Sequence, residues 1–123
     1  MQQGDCVLVS QTDNAYLNTQ NALELVDLGL GRRIRITKEN SLTTVVWNPW
    51  QEGAKQLSDL GDDEWQQMVC AEANNILGFA VNLGPGQQHA MRSEHPDGRA
   101  LRPFRLLPEE IGLRGRVDGF YSL

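Results

Sequence analysis

Short apolar runs rich in β-branched residues, each closed by polar turn formers, are the feature that most constrains the fold of this 123-residue chain. Residues 33–37, Arg-Ile-Arg-Ile-Thr, alternate strictly, so Ile34 and Ile36 face a core while Arg33, Arg35 and Thr37 face water or a ligand. Residues 6–9 (Cys-Val-Leu-Val), 22–26 (Ala-Leu-Glu-Leu-Val) and 43–47 (Thr-Thr-Val-Val-Trp) have the same length and character, and Asn, Asp and Gln clusters bound them. Pro49 ends the last of these runs, because proline has no N–H for a ladder and holds Asn48 extended. Residues 38–41 (Lys-Glu-Asn-Ser) are the expected hairpin loop between two strands. Repeated strands of this kind predict an all-β, antiparallel sandwich, with Ile34, Ile36, Val45, Trp47 and Val69 contributing to a buried face.

Residues 51–68 break the pattern. A helical turn is expected over 51–57, and Asp62 or Asp63 is placed to cap a second one ending near Met68. The extended pattern resumes at Met68-Val69-Cys70-Ala71-Glu72 and again over residues 78–83, ahead of a Gly84-Pro85-Gly86 turn. Beyond residue 90 the composition shifts. Residues 91–123 contain six arginines and no lysine, with Pro96, Pro103 and Pro108 spaced through them. An edge strand over 101–107 and a short helix opening at Pro108 are the expectations there. The chain therefore divides into residues 1–90, a β-sandwich portion, and residues 91–123, an atypical Arg- and Pro-containing extension.

Charge and residue inventory narrow the function. A formal net charge of −5, with Asp59, Asp62, Asp63 and Glu64 crowded together, disfavours nucleic acid and anionic membrane as partners. No apolar stretch reaches the ~18 residues of a membrane span and none reads as a signal peptide, so a cytoplasmic chain is expected. Cys6 and Cys70 lack CxxC spacing and sit in apolar runs, as small buried hydrophobes do. His89 and His95 pair with no cysteine or carboxylate at ligand spacing, so no metal is expected and both rings should be solvated.

Three groups can carry chemistry. Glu72 ends an apolar strand and shares a face with Cys70, a position where a carboxylate is rarely left without a partner. It is either a strand-end glutamate turned to solvent or paired with arginine, or a general base. Trp47 and Trp50 bracket Asn48-Pro49 and are either core aromatics or platforms for a sugar ring. Asp13, in Gln11-Thr12-Asp13-Asn14, either sets an Asx turn or accepts hydrogen bonds from sugar hydroxyls.

Taken in order, Thr12-Asp13 with Tyr16-Leu17-Asn18-Thr19, Val45-Val46-Trp47-Asn48-Pro49-Trp50, Met68-Val69-Cys70-Ala71-Glu72 and Leu83-Gly84-Pro85-Gly86 resemble the C-terminal part of the glucose-6-phosphate 1-epimerases. These are a branch of the aldose 1-epimerase superfamily. The resemblance covers residues 5 to about 90 and implies part of a galactose-mutarotase-type β-sandwich. It also implies interconversion of α and β anomers of a hexose 6-phosphate, with no cofactor. Glu72 matches the family's general base and Asp13 its substrate-binding aspartate. The family's catalytic histidine and phosphate-gripping arginines lie upstream of the matched region, and neither His89 nor His95 takes that place. A partner chain or a missing N-terminal half would supply them. A non-catalytic carbohydrate-binding module and a truncated remnant are the competing readings.

Overall fold

The computed structural model describes residues 6–19, 22–27, 30–94, 111–114 and 119–122. In chain order the strands are β1 (Cys6–Val7), β2 (Thr12–Leu17), β3 (Ala22–Asp27), β4 (Arg32–Glu39), β5 (Thr43–Asn48), β6 (Cys70–Asn74), β7 (Arg92–Glu94), β8 (Ile111–Arg114) and β9 (Gly119–Ser122). The one α-helix among the described residues, α1, is a single turn over Trp50–Ala54, and 3-10 turns cover Glu64–Gln67 and Leu77–Phe79. All strand pairs are antiparallel, in a five-stranded sheet ordered β1-β8-β3-β4-β7 and a four-stranded sheet ordered β6-β5-β2-β9. The all-β architecture is as expected. The tail contributes to both sheets, since β8 lies between β1 and β3 and β9 flanks β2.

The two sheets meet through Leu8, Tyr16, Leu25 and Val46, with Cys6, Leu23, Ile34 and Val69 packed around them. Alternation explains the membership on β3 and β4: Leu25 pairs with Ile34 and Leu23 with Ile36, so these four side chains share the inner face of the larger sheet. On β5 Val45 is buried as expected and Trp47 is half-buried, but the residue that joins the core between the sheets is their neighbour. Val46 is the core residue, and Val45 and Trp47 point to the opposite face of the smaller sheet. The run Thr-Thr-Val-Val-Trp is apolar in both phases, so its period does not choose a face.

Four further expectations change. β4 runs through Glu39, leaving Asn40, Ser41 and Leu42 as the turn, with Asn40 in the left-handed region (φ 54°) that asparagine tolerates. Asp63 precedes the turn Glu64–Gln67 but makes no capping hydrogen bond with its side chain. Residues 80–83 form no strand, and Leu77–Phe79 is a 3-10 turn. Without a neighbour to pair with, an apolar run has nothing to hold it in a ladder. Residues 101–107 lie outside the described residues, while Ile111 opens a strand where the opening turn of a short helix is the expectation.

Two buried polar side chains hold the sandwich in register. Asn48, 0% exposed, accepts a hydrogen bond from Trp50 N (2.8 Å) and donates to Trp65 O (2.9 Å) and Met68 O (2.7 Å). It thereby closes the excursion of residues 50–68 at both ends, and it fixes Trp50 in a left-handed conformation (φ 57°) that a bulky residue adopts only under constraint. Trp50 then packs on Trp65 with ring centroids 4.5 Å apart. Lys38, 2% exposed, continues the inward phase of Ile34 and Ile36 and crosses to the other sheet. Its Nζ donates to Thr19 Oγ1 (2.5 Å), Thr43 O (2.9 Å) and Ser41 Oγ (3.3 Å). Oxygens satisfy the ammonium, yet none of these partners is charged, and burial pushes its pKa from 10.5 down to about 8.

Asn48→Ala strands the buried Trp65 carbonyl and the half-buried Met68 carbonyl and Trp50 N–H, and should lower stability by about 3 kcal/mol, measured as the shift in urea midpoint. For Lys38, the unfolded chain retains a proton above pH 8 that the folded chain has released, so raising the pH toward 10.5 favours folding. The stability difference between the native chain and Lys38→Met should therefore move in favour of the native chain across that window. A constant difference from pH 8 to 10.5 would show that Lys38 titrates normally.

Candidate functional site

The register of three adjacent strands assembles the candidate residues. Asp13 on β2 is opposite Trp47 on β5, which is opposite Cys70 on β6. The next rung along the same face is Ala15, Val45 and Glu72, and the third is Leu17, Thr43 and Asn74. Directly opposed residues share a face, so Asp13, Trp47, Cys70 and Glu72 all stand on the outer side of the smaller sheet, away from the core side chains Tyr16 and Val46. Asp13 and Glu72 are two strand spacings apart across the sheet and one rung apart along it, about 12 Å between Cα atoms. Trp47 occupies the interval, and its side chain is diagonal to Glu72, within the reach of an aromatic ring. Along the same face Ala15, Val45 and Thr43 are buried.

Glu72 sits in the middle of β6 rather than at a strand end, because the ladder begins at Cys70 and continues to Asn74. It is exposed. The Asn74 amide, on the same face, donates to Glu72 Oε2 at 3.4 Å, and no described cation faces the carboxylate. Of the readings open for this residue, pairing with an arginine does not occur among the described residues, whereas its exposure fits a glutamate turned to solvent as well as a base awaiting a substrate. Burial pushes the Cys70 thiol up, and the neighbouring Glu72 carboxylate pushes it further, so Cys70 stands on the face as a neutral, weakly polar group. Both cysteines are free; Cys6 Sγ lies 2.8 Å from Tyr16 OH, which with burial raises that phenol.

The other singled-out residues disperse. Trp50 belongs with Trp65 at the excursion. His89 is exposed as expected, with Nε2 at 3.1 Å from both Asn75 Nδ2 and Asn40 O, where it ties the segment after β6 to the β4–β5 turn. His95 lies outside the described residues. No cluster of His, Cys, Asp or Glu able to hold a metal occurs among the described residues, and no helix among them is long and apolar enough to cross a membrane. A shallow hollow of about 270 Å³ on the outer face of the larger sheet is lined by Arg35, Arg92, Glu39 and Glu94. Arg92 in that hollow is already paired with Glu94.

Asn74, Asn48 and Lys38 were not singled out from sequence. Period two carried a signal for Lys38, which lies in phase with Ile34 and Ile36, and for Asn74, two residues from Glu72. Asn48 had none beyond its place between Trp47 and Pro49.

The family profile described as aldose 1-epimerase matches residues 2–95. A protein of Cenchrus ciliaris, provisionally named a glucose-6-phosphate 1-epimerase, is 33% identical over 114 residues, covering 86% of this chain and 34% of that protein. The chain thus spans about a third of that relative's length. No solved structure gives a significant match.

Burial is the larger cause that keeps the Cys70 thiol neutral, and Glu72→Gln removes the smaller one, the negative charge beside it. Alkylation of Cys70 by iodoacetamide, followed peptide by peptide, should then reach its half-maximal rate at a lower pH than in the native chain. Alkylation of Cys6 should not move, and an unchanged Cys70 profile would separate the two side chains.

Proposed function

This chain belongs to the aldose 1-epimerase family, and from that premise we propose that its smaller sheet carries the base-bearing part of a site that interconverts the α and β anomers of a hexose 6-phosphate. The observation that supports this reading is the shared outer face of β2, β5 and β6, where Asp13, Trp47 and Glu72 stand in consecutive rungs. The hexose 6-phosphate follows the name of the Cenchrus ciliaris relative.

Mutarotation needs a base for the anomeric hydroxyl and an acid for the ring oxygen. Glu72 takes the O1 proton while the acid protonates the ring oxygen; the bond from C1 to that oxygen breaks and C1 becomes an aldehyde. Rotation about C1–C2 exposes the other face of the carbonyl. The ring hydroxyl attacks it, gives its proton back to the conjugate base of the acid, and O1 recovers its proton from Glu72. Atoms and charges balance without a cofactor. Asp13 accepts hydrogen bonds from hydroxyls away from C1, which holds ground and transition states alike. Trp47, between the two carboxylates, offers a flat face to the C–H side of the ring.

Among the described residues the outer face holds neither an acid suited to the ring oxygen nor a cation for the phosphate. That observation favours a second reading, saturable sugar binding without turnover. Phosphorus magnetisation-exchange NMR on the anomers of glucose 6-phosphate separates the two. Under the first reading exchange accelerates above the spontaneous rate. Glu72→Gln removes ~10²-fold or more of that acceleration, whereas Asp13→Asn raises the half-saturating concentration more than it lowers the plateau. Binding that leaves exchange at the spontaneous rate would establish the second. If Glu72→Gln retains more than about a tenth of the acceleration, a loss under ~1.4 kcal/mol, Glu72 is not the base.

A further inference from the structure

We propose that Asn74 is a positioning residue of this site: its side-chain amide holds the Glu72 carboxylate by Oε2 and leaves Oε1 as the oxygen that takes the anomeric proton. The inference rests on the reading of Glu72 as the base and names the residue that orients it. Glu72 is exposed, and an exposed glutamate turns freely about its side-chain torsions unless a neighbour holds it. Among the described residues the Asn74 amide is the hydrogen-bond partner its carboxylate has.

That amide is itself held in place. Asn74 Nδ2 stands 3.4 Å from Glu72 Oε2 and 3.4 Å from Glu72 O, so its two N–H groups are shared between the carboxylate and the main chain of the same residue. The main chain of Asn74 is fixed from the β4–β5 turn: Ser41 Oγ donates to Asn74 O (2.8 Å), Thr43 is its register partner, and the amide of the next residue, Asn75 Nδ2, donates to Asn40 O (2.8 Å). Asn74 is half-buried where Glu72 is exposed. The more constrained residue therefore orients the freer one. Both bonds to Glu72 are long, and hydrogen bonds around a catalytic group commonly tighten when a substrate closes on it.

Placement and charge say what the contact does. Cys70, Glu72 and Asn74 are alternate residues on one face of β6, with Asn74 on the side of Glu72 away from the rung of Asp13, Trp47 and Cys70. Oε2 is taken up by Asn74, and Oε1 has no described partner. A ring lying over Trp47 and beside Asp13 approaches Glu72 from that rung, so its anomeric hydroxyl meets the oxygen left open. An amide suits this task better than a cation. Its N–H is a neutral donor that orients the carboxylate, whereas a guanidinium or ammonium in its place would favour the ionised form and weaken the base.

The test reads the orientation of the carboxylate through Cys70 and its consequence through anomer exchange. Asn74→Ala leaves the backbone bonds of residue 74 in place, and an unchanged circular dichroism spectrum will show that the variant is folded. Released from the amide, the Glu72 carboxylate samples positions closer to Cys70 and disfavours the thiolate. Alkylation of Cys70 by iodoacetamide, at a pH below its half-maximal point, should then slow roughly twofold, as when a charge moves ~1 Å closer at an effective dielectric of about 20. Alkylation of Cys6 should not change, and in the Glu72→Gln background Asn74→Ala should leave Cys70 unmoved. With glucose 6-phosphate in the phosphorus exchange measurement, Asn74→Ala should lower the plateau of the acceleration at least ~10-fold and keep the half-saturating concentration within about twofold. Asn74→Gln, which retains the amide, should recover part of that loss. A Cys70 profile that Asn74→Ala leaves unmoved, or moves equally in the Glu72→Gln background, would overturn the proposal. So would a raised half-saturating concentration with the plateau intact, which would make Asn74 a substrate contact. If the Cys70 shift is found while the native chain leaves exchange at the spontaneous rate, Asn74 still holds Glu72 and the reading of Glu72 as the base is what falls.

Discussion

The pairing register of β5, with β2 on one side and β6 on the other, is the constraint on which both the fold and the site depend. Side chains alternate faces along a strand, so a slip of one residue in β6 would turn Glu72 from the outer face to the core and carry Ala71 outward. The ladder alone does not prevent such a slip, because β6 enters the sheet after a long irregular excursion. Asn48 prevents it. Its side chain grips Trp50 N where the excursion leaves and Met68 O where it returns, two residues before β6 begins. At the other end Ser41 Oγ donates to Asn74 O (2.8 Å) and Thr43 Oγ1 accepts from Ile76 N (3.3 Å). The strand bearing the candidate base is held at both ends by polar side chains of β5 and its turn.

These contacts divide the molecule's resources between its two faces. Inward, Tyr16 and Val46 join Leu8 and Leu25 in a small apolar core. Around it, hydroxyls and carbonyls absorb what polarity the interior contains, including the Lys38 ammonium. A buried cation of this kind is weak evidence for stability, since desolvation opposes it, but its directional bonds tie β4 to the turn and to the other sheet. Outward, the smaller sheet exposes the Glu72 carboxylate and half-exposes that of Asp13, with no described cation against either.

Much of the fold was legible because its signals are local. Alternation on β4 placed Ile34 and Ile36 correctly, and Pro49 marked the end of β5. Alternation was equally present at Lys38, where residue type argued for solvent and period for the interior. Period was right, because Thr19, Ser41 and Thr43 O supply oxygens that lie far away or in the opposite phase in sequence. The strand expected over residues 78–83 failed for the converse reason: composition permits a strand, and pairing requires a neighbour.

By itself the sequence determined most of the strands between residues 6 and 74 and marked Asp13, Trp47 and Glu72 as candidates, since each follows from side-chain shape and charge along a few consecutive positions. It also carried the family resemblance, through motifs that stay in order whatever the fold does with them. Tertiary structure alone decided that Asp13, Trp47 and Glu72 share one face, that Trp50 leaves them for Trp65, and that Val45 rather than Val46 shares that face. The physical reason is register. Which residue stands opposite which is a property of two strands together, and long-range hydrogen bonds such as those of Asn48 fix it across separations that no local pattern spans.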